Sequence, residues 1–404
     1  MKKALIIALA LLPLLLTGQT LDECQQAAER NYPLIAQQDL IGRTTDLTVA
    51  NIQKGWLPQV TATAQATYQN AVTSWPDEMQ TMLSQTGLDM KGLAKDQYRV
   101  GLDVQQTVFD GGAISAQKRV AREQGAVQQA QLDVSLYNVR QRVNEMYFAL
   151  LLLQDQIVLN KDLQEQLTAN EKKLTSMVKH GTAAECDLNN VTAERLNVVQ
   201  QMTTLESQRR VLMAMLSAFC GIEVTDVSKP QAMEIGKDNN RPELRLIDSQ
   251  LRLADAQEKA LNAALLPRLG VFAQGYYGYP GYNLFKDMTG RDWSWNGMVG
   301  ARVTWNIGAL YTRHNDKAKL QLQRETAQNQ REVFLFNNRL EQMQQQEAID
   351  RYRNLMAQDE EIIGLRQQVR KAAESKLSHG IIDVNDLLRD INSENAARVQ
   401  QSIH

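Results

Sequence analysis

The longest regular pattern of hydrophobic positions lies between residues 113 and 179 and predicts one uninterrupted helix. This stretch lacks proline, and Gly125 is its only glycine. Apolar side chains recur at alternating steps of four and three, a seven-residue repeat that keeps one stripe of a helix facing a partner helix: Leu132, Leu136, Val139, Val143, Met146, Leu150, Leu153 and Ile157. At about 1.5 Å per residue such a helix is roughly 100 Å long. It ends at His180-Gly181, and a return helix is predicted over residues 184 to 219.

The same pattern recurs later and predicts a second long helical hairpin. Residues 311 to 378 carry an apolar stripe of Val333, Phe336, Leu340 and Met343, continued by Ile349, Tyr352, Leu355, Ile362, Leu365 and Val369. His379-Gly380 then ends the helix, and residues 383 to 404 are predicted to return along it. This last helix is shorter than its counterpart in the first half.

Four other segments alternate apolar and polar residues with the period of two that is typical of β-strands. They lie at residues 59 to 70, 98 to 109, 268 to 279 and 293 to 305, and each has one apolar and one polar face. Strands of a transmembrane barrel have this pattern, with the apolar face toward lipid. An ordinary half-buried hairpin has it too, so the alternation alone leaves both interpretations open.

Aromatic residues favour the membrane interpretation because they gather at the strand ends beside the intervening loops. Tyrosine and tryptophan are enriched where a protein crosses the boundary between lipid and water. The candidate interface aromatics are Tyr68, Tyr98, Tyr277, Tyr279, Trp293 and Trp295. Four strands cannot close a membrane barrel, and open sheet edges do not occur in lipid. If the strands enter a membrane, several chains must share one barrel.

Landmarks at constant spacing indicate a tandem duplication. Pro58 and Pro267, each predicted to end a helix and open a strand, are separated by 209 positions, and the two His-Gly pairs are separated by 199. The first repeat covers residues 19 to 230 and begins with a helical segment at about 21 to 55. The second covers residues 231 to 404 and begins with a helix at 241 to 264.

The composition of the chain indicates the cellular compartment and argues against nucleic acid as a partner. Residues 1 to 18 have the lysines, apolar run and small residues of a signal peptide, so we expect an exported protein. No later apolar run is long enough for a membrane helix. The formal net charge of −2 gives no basis for binding nucleic acid. Three cysteines are too few for a disulfide framework. Cys24 and Cys220 either pair or remain buried thiols.

No catalytic, metal-binding or cofactor-binding motif is present, so the sequence predicts neither an enzyme nor a cofactor. The four histidines lack metal-ligand spacing. Asp187 and Asp386 follow the two turns at equivalent positions. Such residues can form a carboxylate ring that narrows a channel and favours cations, and they can stabilise helix N-termini; the two roles can hold together.

The duplicated plan resembles the TolC-like outer-membrane efflux proteins. The resemblance rests on Asn31-x-Pro33, Leu57-Pro58-x-Val60, the run Val108 to Gly112 and two His-Gly-x5-Asp-Leu turns. It implies a mainly α-helical homotrimer in which each protomer gives four strands to a twelve-stranded barrel in the outer membrane. The helices would form an α-helical barrel in the periplasm. The tip turns, His180-Gly181 and His379-Gly380, would contact a periplasmic adaptor (membrane fusion protein) that belongs to an inner-membrane pump.

Several positions depart from the family pattern. Asn306 to Ala309 replaces the second Phe-Asp-Gly-Gly corner, and Arg389 stands where well-known members have a second tip aspartate. Leu377 and Ile382 occupy the positions that in those members latch an aspartate such as Asp187. The gate should therefore have a different chemistry.

The functional prediction is a passive exit duct of a tripartite efflux or type I secretion system, opened at its tip by the adaptor and pump. The alternative is a periplasmic or extracellular coiled-coil protein with a structural role and no channel. Lipid-facing strands with aromatic ends distinguish the two, because a soluble hairpin does not need them.

Overall fold

The computed structural model describes residues 18–87, 92–230 and 239–404. Nearly all of the predicted signal peptide, residues 1 to 18, lies outside the described residues. Thirteen helices and strands are assigned along these parts of the chain: α1 Leu21–Asn31, α2 Ala36–Gln53, β1 Gln59–Tyr68, α3 Asp77–Gln85, β2 Asp96–Phe109, α4 Ala113–Lys179, α5 Glu185–Cys220, α6 Pro242–Ala263, β3 Arg268–Tyr279, α7 Leu284–Thr289, β4 Ser294–Thr304, α8 Ala309–Ser378 and α9 Val384–Ile403.

This architecture confirms the predicted fold class: two long helical hairpins and four antiparallel strands in a mainly helical chain. The chain forms two compact units. Among the described residues, the strand unit comprises 38–87, 92–131 and 243–331, and the hairpin unit comprises 18–37, 132–230, 239–242 and 332–404. Among the residues that the structure describes, no helix has both the length and the hydropathy needed to cross a membrane.

In the strand unit, the four strands form one antiparallel sheet in the order β1-β2-β3-β4. Strands β1 and β4 therefore form the two edges of the sheet. The register aligns apolar residues across all four strands, for example Ala64 with Val100, Val100 with Tyr277, and Tyr277 with Trp295. Because strand side chains alternate between faces, one face of the sheet is almost wholly apolar.

The first corner between strand and helix is fastened by an aspartate. Asp110 is buried, and its carboxylate accepts hydrogen bonds from the backbone N–H of Gly112 at 2.8 Å and of Ile114 at 2.6 Å. The second corner repeats only the backbone turn, in which Ala309 N–H donates to Asn306 O at 3.3 Å. Asn306 is exposed, so the two corners differ in the way that the sequence indicated.

Two apolar clusters form the core of the hairpin unit. In the first, α1 packs on α4 and the C-terminal part of α5, and its fully buried side chains include Cys24, Val143, Tyr147 and Leu216. The second joins the two hairpins near their turns; its members are Leu163, Leu167, Leu174, Val191, Val198, Ala373, Leu377, Val384, Leu387 and Ile391. This second group is called the tip cluster below.

The helical segment predicted at residues 21 to 55 is interrupted. Helix α1 ends at Asn31, a single helical turn follows at Pro33–Ile35, and α2 begins at Ala36. Proline cannot donate the backbone hydrogen bond that a continuous helix needs, and it restricts the residue before it. Tyr32 is accordingly extended, with φ −62° and ψ 131°.

Candidate channel surfaces

The apolar face of the sheet is exposed to an unusual extent. Val299 lies at the centre of β4 and is 82% exposed. Other large apolar side chains of this face are exposed as well: Val60, Val100, Leu102, Val271 and Val303. Soluble proteins rarely expose a contiguous apolar patch across a whole sheet. The opposite face is polar: Asp103 accepts a hydrogen bond from Gln274 at 2.5 Å, and the guanidinium of Arg302 lies 5.0 Å from the Phe272 ring centre.

Four of the six predicted interface aromatics come together at the loop end of the sheet. The ring centres of Tyr98 and Trp293 are 6.3 Å apart, and Tyr277 lies 5.4 Å from Trp293 and 5.1 Å from Trp295. Tyr68 ends β1 at the same end of the sheet and is exposed.

The assignment of Tyr279 to this set is wrong, because its side chain is only 4% exposed. Its hydroxyl donates to Asp287 O at 3.0 Å and accepts from the backbone N–H of Ala94 at 2.9 Å. Tyr279 instead holds the two loops of the strand unit together, in a cluster with Leu93 and Met288.

A second set of exposed aromatics lies at the opposite end of the sheet, and the sequence interpretation missed it. Phe109 ends β2, and Trp305 follows β4 with its indole N–H donating to Leu265 O at 3.0 Å. Both rings are exposed, as is Tyr311 at the start of α8. The signal was available in the sequence, because Phe109 and Trp305 stand at equivalent places, at the end of the second strand of each repeat.

The tip turns have equivalent geometry in the two hairpins. Gly181 and Gly380 have φ values of 75° and 68°, in the left-handed region that favours glycine. The Nδ1–H of His180 donates to Ser176 O at 2.7 Å, and that of His379 donates to Ser375 O at 2.8 Å. Each histidine thus satisfies a carbonyl in the last turn of its long helix, which accounts for the His-Gly pair without a ligand.

A cavity of about 520 Å³ lies between the two turns. Asp187, Leu377, Gly380 and Ile382 all line it, so the structure brings these predicted tip positions together. Leu377 is 8% exposed and belongs to the tip cluster. Polar contacts between the return helices are few: Asn190 donates to Asn385 at 3.1 Å, and Asn392 donates to Glu194 at 2.8 Å. The hairpins are therefore joined here mainly by apolar packing.

The two candidate constriction acids act as helix N-terminal groups in this structure. The Asp187 carboxylate accepts from the backbone N–H of Ala184 at 3.4 Å. Asp386 lies in the first turn of α9, pairs with Arg389 at 3.0 Å, and donates its own backbone N–H to Asp383. Arg389 offsets the charge of Asp386, which leaves Asp187 as the stronger candidate for a channel carboxylate.

A buried ion pair fastens α9 to α8 above the tip. Glu394 is buried and accepts from Arg370 at 2.6 Å and from Arg398 at 2.9 Å. Burial acts to raise the pKa of the Glu394 carboxyl, but the hydrogen bonds from the two arginines outweigh it, so the pKa lies below its ordinary value of 4.5. The sequence interpretation did not identify this pair.

Replacing Glu394→Gln is expected to lower the free energy of unfolding by about 2 kcal/mol at pH 7, the typical worth of hydrogen bonds to a charged group. Because the pKa of Glu394 is lower in the folded state, its ionised carboxylate stabilises the folded protein above the ordinary carboxyl pKa of 4.5. This contribution is lost as the pH falls through the pKa of the folded state. The difference between variant and parent should therefore shrink below about pH 4.5. Denaturant unfolding at pH 7 and pH 4 measures it. Glu374→Gln, which removes a more exposed partner of Arg370, should cost less.

A stripe of exposed apolar residues runs along α8 within the hairpin unit. Phe336 is 62% exposed, and further members of the stripe predicted from the sequence are exposed as well: Val333, Leu340, Met343, Ile349, Tyr352, Ile362, Leu365 and Val369. Leu355 is half-buried. A solvated helix does not keep such a stripe uncovered over so many turns, so a partner surface is required.

Within residues 18–87, 92–230 and 239–404, no group of three or more His, Cys, Asp or Glu side chains is arranged to hold a metal ion. The described surfaces that call for an explanation are apolar. They are one face of the sheet, the α8 stripe, the tip cluster, and the two sets of exposed aromatic residues at the two ends of the sheet, which are called the aromatic belts below.

Residues 24–221 match the family described as outer membrane efflux protein. The matched segment contains the first hairpin and the first two strands. The comparison with curated proteins finds no significant match.

Solved structures share the fold over nearly the whole chain. The outer membrane protein VceC from Vibrio cholerae has a TM-score of 0.66 and 12% identity, over 95% of this chain and 92% of that chain. The Campylobacter jejuni outer membrane channel CmeC has a TM-score of 0.62 and 13% identity, over 95% and 82%. The open state of the Neisseria gonorrhoeae channel MtrE has a TM-score of 0.62 and 12% identity, over 95% and 85%.

These identities show the fold alone, and the family match adds the evolutionary relationship. The fold covers both repeats, although the family match covers only residues 24–221. Family members are outer-membrane channels rather than enzymes. Residues 24–221 of this chain are thus similar in sequence to the outer membrane efflux proteins, and the whole chain shares the fold of solved outer-membrane channels.

Proposed function

We propose that three copies of this chain form an exit channel in the outer membrane, with a twelve-stranded barrel shared among the protomers and helices extending into the periplasm. The observation that carries the proposal is the sheet, which is apolar across one face and ends in two edge strands. Edges are not tolerated in lipid, and the smallest transmembrane barrels have about eight strands. Joining β4 of one protomer to β1 of the next removes every edge.

The distance between the two aromatic belts supports this placement. Trp295 and Trp305 are ten positions apart along β4, which corresponds to about 33 Å along a strand. At the tilt of about 40° that is usual for barrel strands, the height between them is about 25 Å, equal to the apolar band of outer-membrane barrels. The polar face, with Asp103, Gln274 and Arg302, would then line the aqueous lumen.

The α8 stripe supports the assembly in the helical part. A tunnel wall built from amphipathic helices buries its apolar stripes between neighbouring helices and presents polar side chains to the lumen. Phe336 and its stripe would pack against the adjacent protomer.

The tip is the proposed gate and adaptor-binding end. His180, Gly181, His379 and Gly380 form its turns, and a periplasmic adaptor that contacts them could separate the hairpins. An inner-membrane pump would supply the energy, so the channel itself needs neither catalysis nor a cofactor. Three copies of Asp187 would give the narrowed tip a preference for cations.

Weakening the tip cluster tests whether its packing keeps the channel closed. Leu377→Ala removes a buried side chain and should cost about 2 to 5 kcal/mol of packing at the contact between hairpins. A loss of only 1.4 kcal/mol already raises the open population about tenfold. Single-channel recording in planar bilayers, without adaptor, should therefore show markedly more frequent or larger openings.

Ile381→Ala is the matched control, because Ile381 is an aliphatic residue of the same turn but is 70% exposed. Its conductance should equal that of the parent. If Leu377→Ala and Ile381→Ala have the same conductance while a thermal melt shows that Leu377→Ala has lost stability, the tip cluster is not the gate.

A further inference from the structure

The first core cluster of the hairpin unit contains two of the three cysteines. Cys24 lies in α1, and Cys220 is the last residue of α5. Their exposed fractions are 0% and 2%. Cys186, in contrast, is exposed in the first turn of α5, so the length of this helix, roughly 50 Å, separates it from Cys220. Only Cys24 and Cys220 are neighbours.

The contact between these two residues is direct. The Sγ of Cys220 donates to the backbone oxygen of Cys24 at 3.4 Å. Both are reduced in this structure. Both residues therefore lie in one buried contact between α1 and the end of α5.

Three further contacts hold α1 against the end of α5. The Asn31 amide donates to the carbonyls of Ala218 and Phe219 at 3.1 and 3.2 Å. The rings of Tyr32 and Phe219 stack with centres 5.7 Å apart. These contacts hold α1 at the end of α5, so the folded chain keeps the two cysteines adjacent, and a bond between them needs no displacement of either helix.

We propose that Cys24 and Cys220 are oxidised to a disulfide after export, and that this bond staples the N-terminal helix to the end of the first hairpin. The proposal rests on the proposed location outside the cytoplasm, since thiols stay reduced inside it. It does not depend on channel activity.

The reaction requires an external disulfide of the protein dithiol oxidase class. One of the two cysteine thiolates attacks one sulfur of that disulfide and displaces the other as a thiolate, and the second cysteine thiolate then attacks the cysteine sulfur of the mixed disulfide and releases the oxidase thiolate. The two cysteines lose two protons and two electrons in total, and the oxidase is left as a dithiol.

Burial determines when the bond can form and how it can be broken. An oxidase cannot reach either sulfur in the folded hairpin unit, so oxidation precedes the final docking of α1. For the same reason, a reductant added to the folded protein should leave the bond intact, and reduction should require unfolding.

Counting thiols in the exported, full-length protein tests the proposal. The protein is unfolded in the presence of an alkylating reagent, with or without prior reduction, and its intact mass is measured. The proposal predicts one label, on Cys186, without reduction and three labels after it. Protein retained in the cytoplasm by deletion of the signal peptide should give three labels in both cases. Three labels on the exported, unreduced protein would overturn the proposal.

Two variants exclude other pairings. Cys186→Ser should give no label before reduction and two after it, and Cys220→Ser should give two labels under both conditions. When the parent protein is unfolded, reduced and refolded, its thermal midpoint should fall by about 5 °C or more, because the lost crosslink closes a long loop. In Cys220→Ser the same treatment should shift nothing. An equal shift in that variant would overturn the stapling role.

Discussion

Val299→Lys is expected to prevent stable insertion of the protein into lipid. Val299 lies at the centre of β4, on the apolar face, opposite Ala273 of β3. A lysine at the midplane of a membrane barrel costs about 2 to 4 kcal/mol, and a trimer carries the substitution three times. The sum approaches or exceeds the whole stability of a typical domain. Folding into lipid vesicles, followed by denaturant titration, measures the loss.

Met298→Lys is the matched control, because it places the same charge one residue away on the opposite face. Met298 pairs with Gln274 on the polar side of the sheet and is itself exposed. In the proposed barrel it faces the water-filled lumen, so the variant should insert nearly as well as the parent. Equal loss of insertion in both variants would contradict the assignment of the two faces.

Phe336→Glu is expected to dissociate the trimer. The substitution places an unpaired carboxylate in the stripe that the proposal buries between protomers. Leaving a charge buried without a partner costs about 3 to 5 kcal/mol, and it occurs at each of three equivalent interfaces. Light scattering in detergent should show a protomer mass in place of a trimer mass, with the helical content of the solubilised protein unchanged.

The control for this substitution adds the same charge elsewhere on α8. Gln345 is exposed and lies nine residues after Phe336, which places it on the opposite side of the helix. Gln345→Glu should leave the trimer intact. A trimer that survives Phe336→Glu would show that the stripe is covered by something other than a neighbouring protomer.

Much of the fold could be predicted from sequence because it depends on periodicity. The stripe from Leu132 to Ile157 has the spacing of a long paired helix, and α4 runs without interruption from Ala113 to Lys179. The alternation from Val60 to Tyr68 lies on one strand, and the pairing register aligns it with the apolar positions of β2. In both cases, local pattern and tertiary packing favour the same structure.

The error at Tyr279 arose because a tyrosine beside a strand end has two common uses. Tyr279 has the position of an interface aromatic, yet its hydroxyl finds two buried partners between the strands, Ala94 and Asp287. The spacing of residues along the chain cannot reveal these partners, because they depend on how the segments between the strands fold back. The pairing of Asp386 with Arg389 is different, because the two residues are three positions apart on one helix and the sequence already places them within reach.

The measurement that tests the central claim most directly is planar-bilayer recording of the purified, detergent-solubilised protein, with its oligomer mass determined on the same sample. We predict the mass of three protomers and discrete, cation-preferring conductance steps. A soluble monomer or dimer that gives no conductance would contradict the shared barrel. The long hairpins would then belong to a periplasmic or extracellular coiled-coil protein with a structural role.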